Sequence, residues 1–270
     1  MSSSVRLASV NVNGIRAASR RGMKGWLTAT DPTVLALQET RADHDVVAEV
    51  IGDGWDVVTA PSTTKGRAGV AVAVRSGSAR LVGQRPTFAD GSFDGQGRWI
   101  EADVEWGDGS TLTVVSTYVH TGQADDPERM AEKHAFMTAL VDRAQELRDD
   151  GRRVAVCGDL NITHRDVDLK NWKGNRSKAG CLPEERTHLD RLLAGGFVDL
   201  GRRFGGDGPG PYTWWSWRGR AFDNDAGWRI DYVLVDESVA EAVTAVTVDR
   251  APSYDERWSD HAPITVTITA

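Results

Sequence analysis

Short valine-rich apolar runs that break off in a carboxylate, an amide or a histidine constrain this chain more than any other feature. Val5–Val12, Thr33–Leu37, Gly69–Val74, Trp99–Val104, Thr111–Thr117, Arg153–Cys157, Ile230–Val235, Val243–Val248 and Ile264–Thr269 read as strands. Val5–Val10 runs into Asn11-Val12-Asn13-Gly14, Thr33–Leu37 into Gln38-Glu39-Thr40, and Arg153–Cys157 into Gly158-Asp159-Leu160-Asn161. Asp231 opens the run to Val235, and Ser259-Asp260-His261 precedes the last strand. Polar groups at the ends of apolar strands are what a site at one edge of a sheet requires. Each alone has a structural reading, since Asn-Gly is often a turn and Asp before Asn can cap a loop. Five strand ends of this kind in one chain point to a site.

Between the strands lie helical patterns. Asp126 can cap free N–H groups and Pro127 fits the first helical position, with Met130, Met137, Leu140, Val141, Ala144 and Leu147 following on one face. A second helix opens at Pro183-Glu184-Glu185, buries Leu189, Leu192 and Leu193, and stops at Gly195-Gly196. A weaker one covers Gly22 to Ala29. The pattern predicts an α/β protein. At 270 residues a rule of roughly 150 residues per domain suggests two domains, yet layered α/β folds of this size form one, and no linker rich in Pro, Gly or Ser divides the chain.

Composition sets the surroundings. Hydrophobic residues at 40% and charged ones at 26% argue against disorder. No apolar run approaches the roughly 20 residues that span a bilayer, and Met-Ser-Ser-Ser-Val-Arg-Leu lacks a leader's apolar core. Cys157 and Cys181 alone make neither a disulfide framework nor a thiolate zinc cluster. Cys157 belongs to a packed strand, and His44, His134 and His188 read as surface residues. A cytoplasmic location is expected.

The net charge of −7 speaks against a nucleic-acid partner only as a sum, because phosphate contacts depend on a local patch. Arg165, Lys170, Lys173, Arg176 and Lys178 face only Asp166 and Asp168 in their stretch, while Asp125–Asp150 holds eight acidic residues against Arg129, Lys133, Arg143 and Arg148. Solvated surface is the plain reading of both runs. The segment from Leu160 to Leu182 is polar, basic and aperiodic, a length of loop that is usually functional or mobile.

Asn11, Glu39 and Asp260 offer hard oxygen ligands, which suit Mg²⁺ or Mn²⁺ better than zinc. Asp159 and Asn161, two apart, share one side of an extended segment and pair a proton acceptor with a neutral donor. His261 can contact a phosphate oxygen while Asp231 fixes its tautomer. A Ser-His-Asp hydrolase competes, but the chain has no Gly-x-Ser-x-Gly elbow.

On these residues the chain resembles the exonuclease III-like apurinic/apyrimidinic (AP) endonucleases. The matching segments are Ser9–Arg16, Leu37-Gln38-Glu39-Thr40, Gly158-Asp159-Leu160-Asn161-Ile162, Gly227-Trp228-Arg229-Ile230-Asp231-Tyr232 and Ser259-Asp260-His261-Ala262-Pro263, in family order. The resemblance implies one domain over residues 1–270, a four-layered sandwich of two packed mixed β-sheets flanked by helices. It makes Glu39 the main Mg²⁺ ligand, with Asn11 and Asp260 beside it and Asp159, Asn161 and His261 close enough to join. Asp159 becomes the general base or acid, Asn161 the group that orients water, and His261 with Asp231 a phosphate-facing dyad. Tyr118 matches the family's active-site tyrosine, although His120 stands where family members carry Pro. Trp214 and Trp228, with Ile230, match the walls of an apolar pocket; Trp215 and Trp217 read equally well as core.

The implied activity is Mg²⁺-dependent cleavage of duplex DNA 5′ to abasic sites, with Mn²⁺ as a substitute metal, together with 3′→5′ exonuclease action and removal of 3′ blocking groups. DNA would draw the protein to the nucleoid; protein partners are left open. Lys173 and Arg176 are the expected phosphate contacts. A phosphodiesterase of the same fold acting on a lipid or inositol phosphate is the alternative, disfavoured by the basic loop and by the lack of an amphipathic membrane face. A catalytically dead DNA-binding module fits poorly, because every expected catalytic position is filled.

Overall fold

The computed structural model describes residues 4–107 and 109–269; Met1 to Ser3, part of the stretch examined for a leader, lie outside them. Its strands are β1 (Ser4–Asn11), β2 (Val34–Gln38), β3 (Trp55–Ala60), β4 (Val70–Arg75), β5 (Arg80–Arg85), β6 (Trp99–Trp106), β7 (Ser110–Tyr118), β8 (Val154–Asp159), β9 (Phe197–Asp199), β10 (Asp231–Asp236), β11 (Val243–Val248) and β12 (Ile264–Thr269). The helices are α1 (Ile15–Arg20), α2 (Met23–Thr30), α3 (His44–Ile51), α4 (Pro127–Asp149), α5 (Trp172–Asn175), α6 (Pro183–Ala194), α7 (Leu200–Gly205) and α8 (Glu237–Ala242).

The strands form two six-stranded sheets, ordered β11-β12-β1-β2-β4-β3 and β5-β6-β7-β8-β10-β9. Both are mixed: β1 runs parallel to β2 and β7 to β8, and the other pairs are antiparallel. Alternation along each strand sorts side chains into layers. In β1, Val5 and Leu7 enter the core between the sheets, while Ala8 and Val10 face α1, α2 and α3. In β8, Ala155 and Cys157 enter the inter-sheet core and Val154 and Val156 meet the layer of α4 and α6. The four-layered sandwich expected from the sequence is present. Cys157 is packed core, and burial raises its thiol pKa.

The helix signals hold, except that Leu193 of α6 is half-buried where Leu189 and Leu192 are buried. Asp126 accepts a hydrogen bond from Arg129 N at 3.1 Å, and the six apolar residues expected on the buried face of α4 are buried. Two expectations change. Lys133, counted with the solvated charges of that run, is fully buried, and His188, read as a surface residue, is buried and meets His134 at 3.0 Å. The segment from 160 to 182 is not structureless: it contains a 3₁₀ turn (Asp166–Asp168), α5, and a backbone bridge from Leu169 to Trp228.

One glycine permits the central pairing. A Cβ at Gly158 would lie 1.9 Å from the carbonyl oxygen of Thr117, its partner in the parallel β7–β8 ladder. Any side chain there would push apart the two strands that carry Tyr118 and Asp159.

Candidate active site

Strand direction gathers the site. The parallel pairs β1–β2 and β7–β8 end at one edge in Asn11, Gln38-Glu39, Tyr118 and Asp159. The antiparallel strands β10 and β12 start at that same edge, so Asp231 lies directly opposite Asp159 in the ladder and Asp260-His261 arrive just before Ile264. Both sheets therefore contribute to one cluster.

Asn11, fully buried, donates from Nδ2 to Glu39 Oε1 and to Asp159 Oδ2, both at 2.9 Å. Its own oxygen accepts the Asn13 N–H, so Asn11 meets the two carboxylates as a donor. Asp159 also accepts the backbone N–H of Asn161 at 2.9 Å and its Nδ2 at 3.1 Å. The two residues meet as expected, but through a turn rather than an extended segment: Asn161 has φ 50°. Glu39 and Asn13 share this left-handed conformation, at φ 47° and 46°. It is uncommon outside glycine and unusual for glutamate, and such residues concentrate at functional sites.

His261 Nδ1 lies 2.9 Å from Asp231 Oδ2, and its Nε2 lies 3.8 Å from Asp159 Oδ2. Burial disfavours the imidazolium, yet the charge and hydrogen bond of Asp231, with Asp159 and Asp260 nearby, override it and raise the pKa. Asp159 is shifted upward by burial and then by Asp231, with His261 pulling the other way. Burial also pushes up the Tyr118 hydroxyl, and the Glu39 and Asp159 carboxylates add to that shift. Asp260 accepts from Asn13 Nδ2 at 2.8 Å and from Trp214 Nε1 at 3.1 Å.

Glu39, Tyr118, Asp159, Asn161, Asp260 and His261 line a cavity of about 730 Å³ whose walls include Trp214, Trp228 and Ile230, with Asn11 and Asp231 behind them. The two indoles meet edge to face, with centroids 6.1 Å apart. Trp215 is core, packed with Tyr212 and Phe222, and Trp217 is half-buried under Arg257. Of the basic segment, Lys178 reaches the cavity, whereas Lys173 and Arg176 stand exposed on and just after α5.

Residues 8–261 match the Endonuclease/Exonuclease/phosphatase family. The chain belongs to that family. It is 33% identical over 267 residues to an exodeoxyribonuclease of Bacillus subtilis, covering 98% of this chain and 99% of that one. An AP endonuclease from Archaeoglobus fulgidus superposes with a TM-score of 0.83 at 27% identity, covering 98% and 99% of the two chains. A Neisseria 3′ phosphatase bound to a product DNA hairpin gives 0.80 at 28% identity, covering 97% and 98%. The resemblance to exonuclease III-like AP endonucleases drawn from the sequence is borne out.

The family's metal chemistry can be tested against the donors present. Glu39 and Asp260 line the cavity, and the ligand atoms of Asp159, Asp231 and His261 lie within 4.8 Å of one another. A buried cluster in which burial, and then the facing Asp231, already raises Asp159 is a setting that a hard cation relieves. The donor set fits a divalent ion.

Sequence reasoning missed several supporting residues. Asn13 bonds Asp260, Arg41 pairs with Glu39, and Thr213 Oγ1 accepts both Ile230 N and Asp231 N at 3.2 and 3.1 Å. Asn13 lies within the strand end and the matching segment Ser9–Arg16 but has no role of its own in the sequence reading; Arg41 and Thr213 carried no signal. At the departure from the family pattern, the buried His120 accepts the Gly122 N–H on Nδ1 at 3.1 Å, so an imidazole braces the turn after Tyr118. Burial, then Arg98, lowers its pKa to about 4, so it does so as the neutral ring.

Proposed function

We propose that residues 1–270 act as one catalytic domain, a Mg²⁺-dependent DNA repair nuclease that hydrolyses the phosphodiester 5′ to an abasic site, leaving a 3′-hydroxyl and a 5′ sugar phosphate. The same site would act as a 3′→5′ exonuclease and clear blocked 3′ ends of duplex DNA. The observation that carries this reading is the convergence of Asp159, its donors Asn11 and Asn161, and the His261–Asp231 pair beside an indole-walled cavity. One domain is supported by a site that draws on both sheets, from Asn11 to His261. No helix among the described residues is long and apolar enough to cross a membrane, which accords with action on DNA in the cytoplasm.

Glu39 and Asp260 would hold the metal, with Asp159 beside them and Asn11 steering the carboxylates as a donor. A bound Mg²⁺ or Mn²⁺ supplies Lewis-acid polarisation of the phosphodiester and charge balance for the leaving 3′ oxygen. Asp159, its proton affinity raised by burial, takes a proton from the attacking water as the new P–O bond forms and the P–O3′ bond breaks, and the leaving 3′ oxygen takes up a proton from solvent to give the 3′-hydroxyl. Asn161 keeps Asp159 oriented through two hydrogen bonds. His261, held by Asp231, presents Nε2–H to a non-bridging oxygen where charge builds in the transition state. Trp214, Trp228 and Ile230 would receive the baseless sugar.

The test is cleavage of a duplex with a single abasic-site analogue, of sphingomyelin and of an inositol polyphosphate, each with Mg²⁺ and with EDTA. Incision of the duplex 5′ to the analogue is expected, lost in EDTA and restored by Mg²⁺ or Mn²⁺. Turnover of sphingomyelin or the inositol phosphate with the duplex left intact would overturn the assignment.

A further inference from the structure

Behind the catalytic cluster lies an ion pair that the chemistry above does not use. Lys133 on α4 and Glu185 on α6 have side chains 1% and 0% exposed, and Lys133 Nζ stands 2.5 Å from Glu185 Oε1. Desolvating two charges costs so much that a buried pair can often be replaced by apolar side chains without loss of stability. Stability alone is therefore a poor reason for this one.

Its remaining hydrogen bonds show what it holds. Lys133 Nζ donates to the carbonyl oxygens of Thr121 at 2.8 Å and Asn161 at 2.9 Å, which uses all three of its N–H groups. Glu185 Oε2 accepts the backbone N–H groups of Gly180 at 2.6 Å and Leu182 at 3.0 Å. The pair thus ties together the turn after β7, the turn after β8 and the segment leading into α6. Each of these contributes to the catalytic cavity, through Thr121, Asn161 and Ala179. Two are coupled again at the surface of the site, where Thr121 Oγ1 donates to Asn161 Oδ1 at 3.3 Å. Gly180 also backs the cavity wall: a Cβ there would lie 2.9 Å from Asn161 O and 3.4 Å from Trp228 Cζ3.

We propose that Lys133 and Glu185 are positioning residues for phosphodiester hydrolysis, clamping three cleft loops so that Asn161 is held in its left-handed turn against Asp159. This rests on the nuclease reading, in which Asp159 and Asn161 act together. Lys133 makes hydrogen bonds to the cleft loops through the carbonyls of Thr121 and Asn161, and neither member of the pair lines the cavity.

Lys133→Met alone would strand a buried carboxylate, so the test uses Lys133→Met/Glu185→Gln. That double variant removes both charges, keeps a side-chain oxygen as acceptor toward Gly180 and Leu182, and deletes the bonds from Lys133 to Glu185, Thr121 and Asn161. Two readouts are combined. Hydrogen exchange followed by mass spectrometry, which needs no activity, should show faster exchange around residues 119–122 and 160–163 with β1, β8 and β10 unchanged. The single-turnover rate constant on an abasic duplex with enzyme in excess, which is insensitive to the fraction of folded molecules, should fall by about 10²-fold, the size of effect a misplacement near 1 Å produces. The DNA Kd should change less than about threefold. A single-turnover rate within about threefold of the unsubstituted protein would overturn the proposal, as would failure of the double variant to fold, which would make the pair a folding element. If the unsubstituted protein does not incise the duplex, it is the nuclease reading that fails, and hydrogen exchange still reports on the clamp.

Discussion

Asp159 spreads its two oxygens over three donors, from Asn11 and Asn161, yet burial and the facing Asp231 keep its proton affinity above that of an ordinary carboxylate. Donors give it orientation and the buried acids give it basicity, the combination a general base near neutral pH needs. Asp159→Asn keeps the shape and removes the base. Turnover on an abasic duplex should fall by about 10³-fold or more, with DNA affinity retained and no rescue at any metal concentration. Glu39→Gln should behave differently, with weaker Mg²⁺ binding, lower activity, and partial rescue by higher Mg²⁺ or by Mn²⁺. Near-normal turnover of Asp159→Asn would remove Asp159 from its proposed role. Glu39, Asp159, Asp231, Asp260 and His261 were legible because each abuts an apolar strand, where a polar side chain is conspicuous. Lys133 was not: a lysine among the charges of a long helix looks like any solvated one, and only the loops folded over it bury it.

The same contrast holds for whole elements. Strands buried on both faces, such as β1, β2, β4 and β8, show as apolar runs. Strands β3, β5 and β9 went unread, and all three lie at sheet edges, where one side meets solvent and the apolar pattern thins. The short helices α1, α3, α7 and α8 are fixed by packing on the sheets rather than by local pattern. Around α5, the stretch from Arg165 to Lys178 is tethered rather than free, because Asp168 is gripped by Arg229 Nε at 2.7 Å and by Arg202. Its anchored base and exposed cations suit a phosphate-contacting ridge beside the cavity. Neutralising Lys173 and Arg176 together should weaken DNA binding and flatten the log–log salt dependence by about one unit per lost phosphate contact. An unchanged slope in a salt titration would return both side chains to ordinary solvated surface.

Across the whole molecule, a net charge of −7 coexists with a DNA-directed site because the two sheets bring their strand ends to one edge and the basic stretch borders it. That edge offers a substrate one cavity with two kinds of lining: the proposed catalytic cluster, and apolar walls of Trp214, Trp228 and Ile230. In the proposed reaction the cluster serves every phosphodiester that is cut. The indole walls would matter only when a nucleotide leaves the stack, an excursion that costs a few kcal/mol for a paired base and less where the base is already missing. Trp228 is held at the cavity wall by reciprocal backbone hydrogen bonds with Trp214 at 2.9 Å and by the edge-to-face contact of their rings, and it makes no hydrogen bond to Asp159, Asn161 or His261. Trp228→Ala should therefore open the wall without disturbing the catalytic hydrogen bonds. Cleavage at an abasic site should drop about tenfold more than exonuclease action at an undamaged 3′ end, about the worth of one lost aromatic contact. Circular dichroism and thermal unfolding would establish that the variant is folded. Equal loss of the two activities in a folded Trp228→Ala protein would mean that this ring plays no part in lesion choice, and that selectivity lies in how the duplex is bent or opened before the sugar arrives.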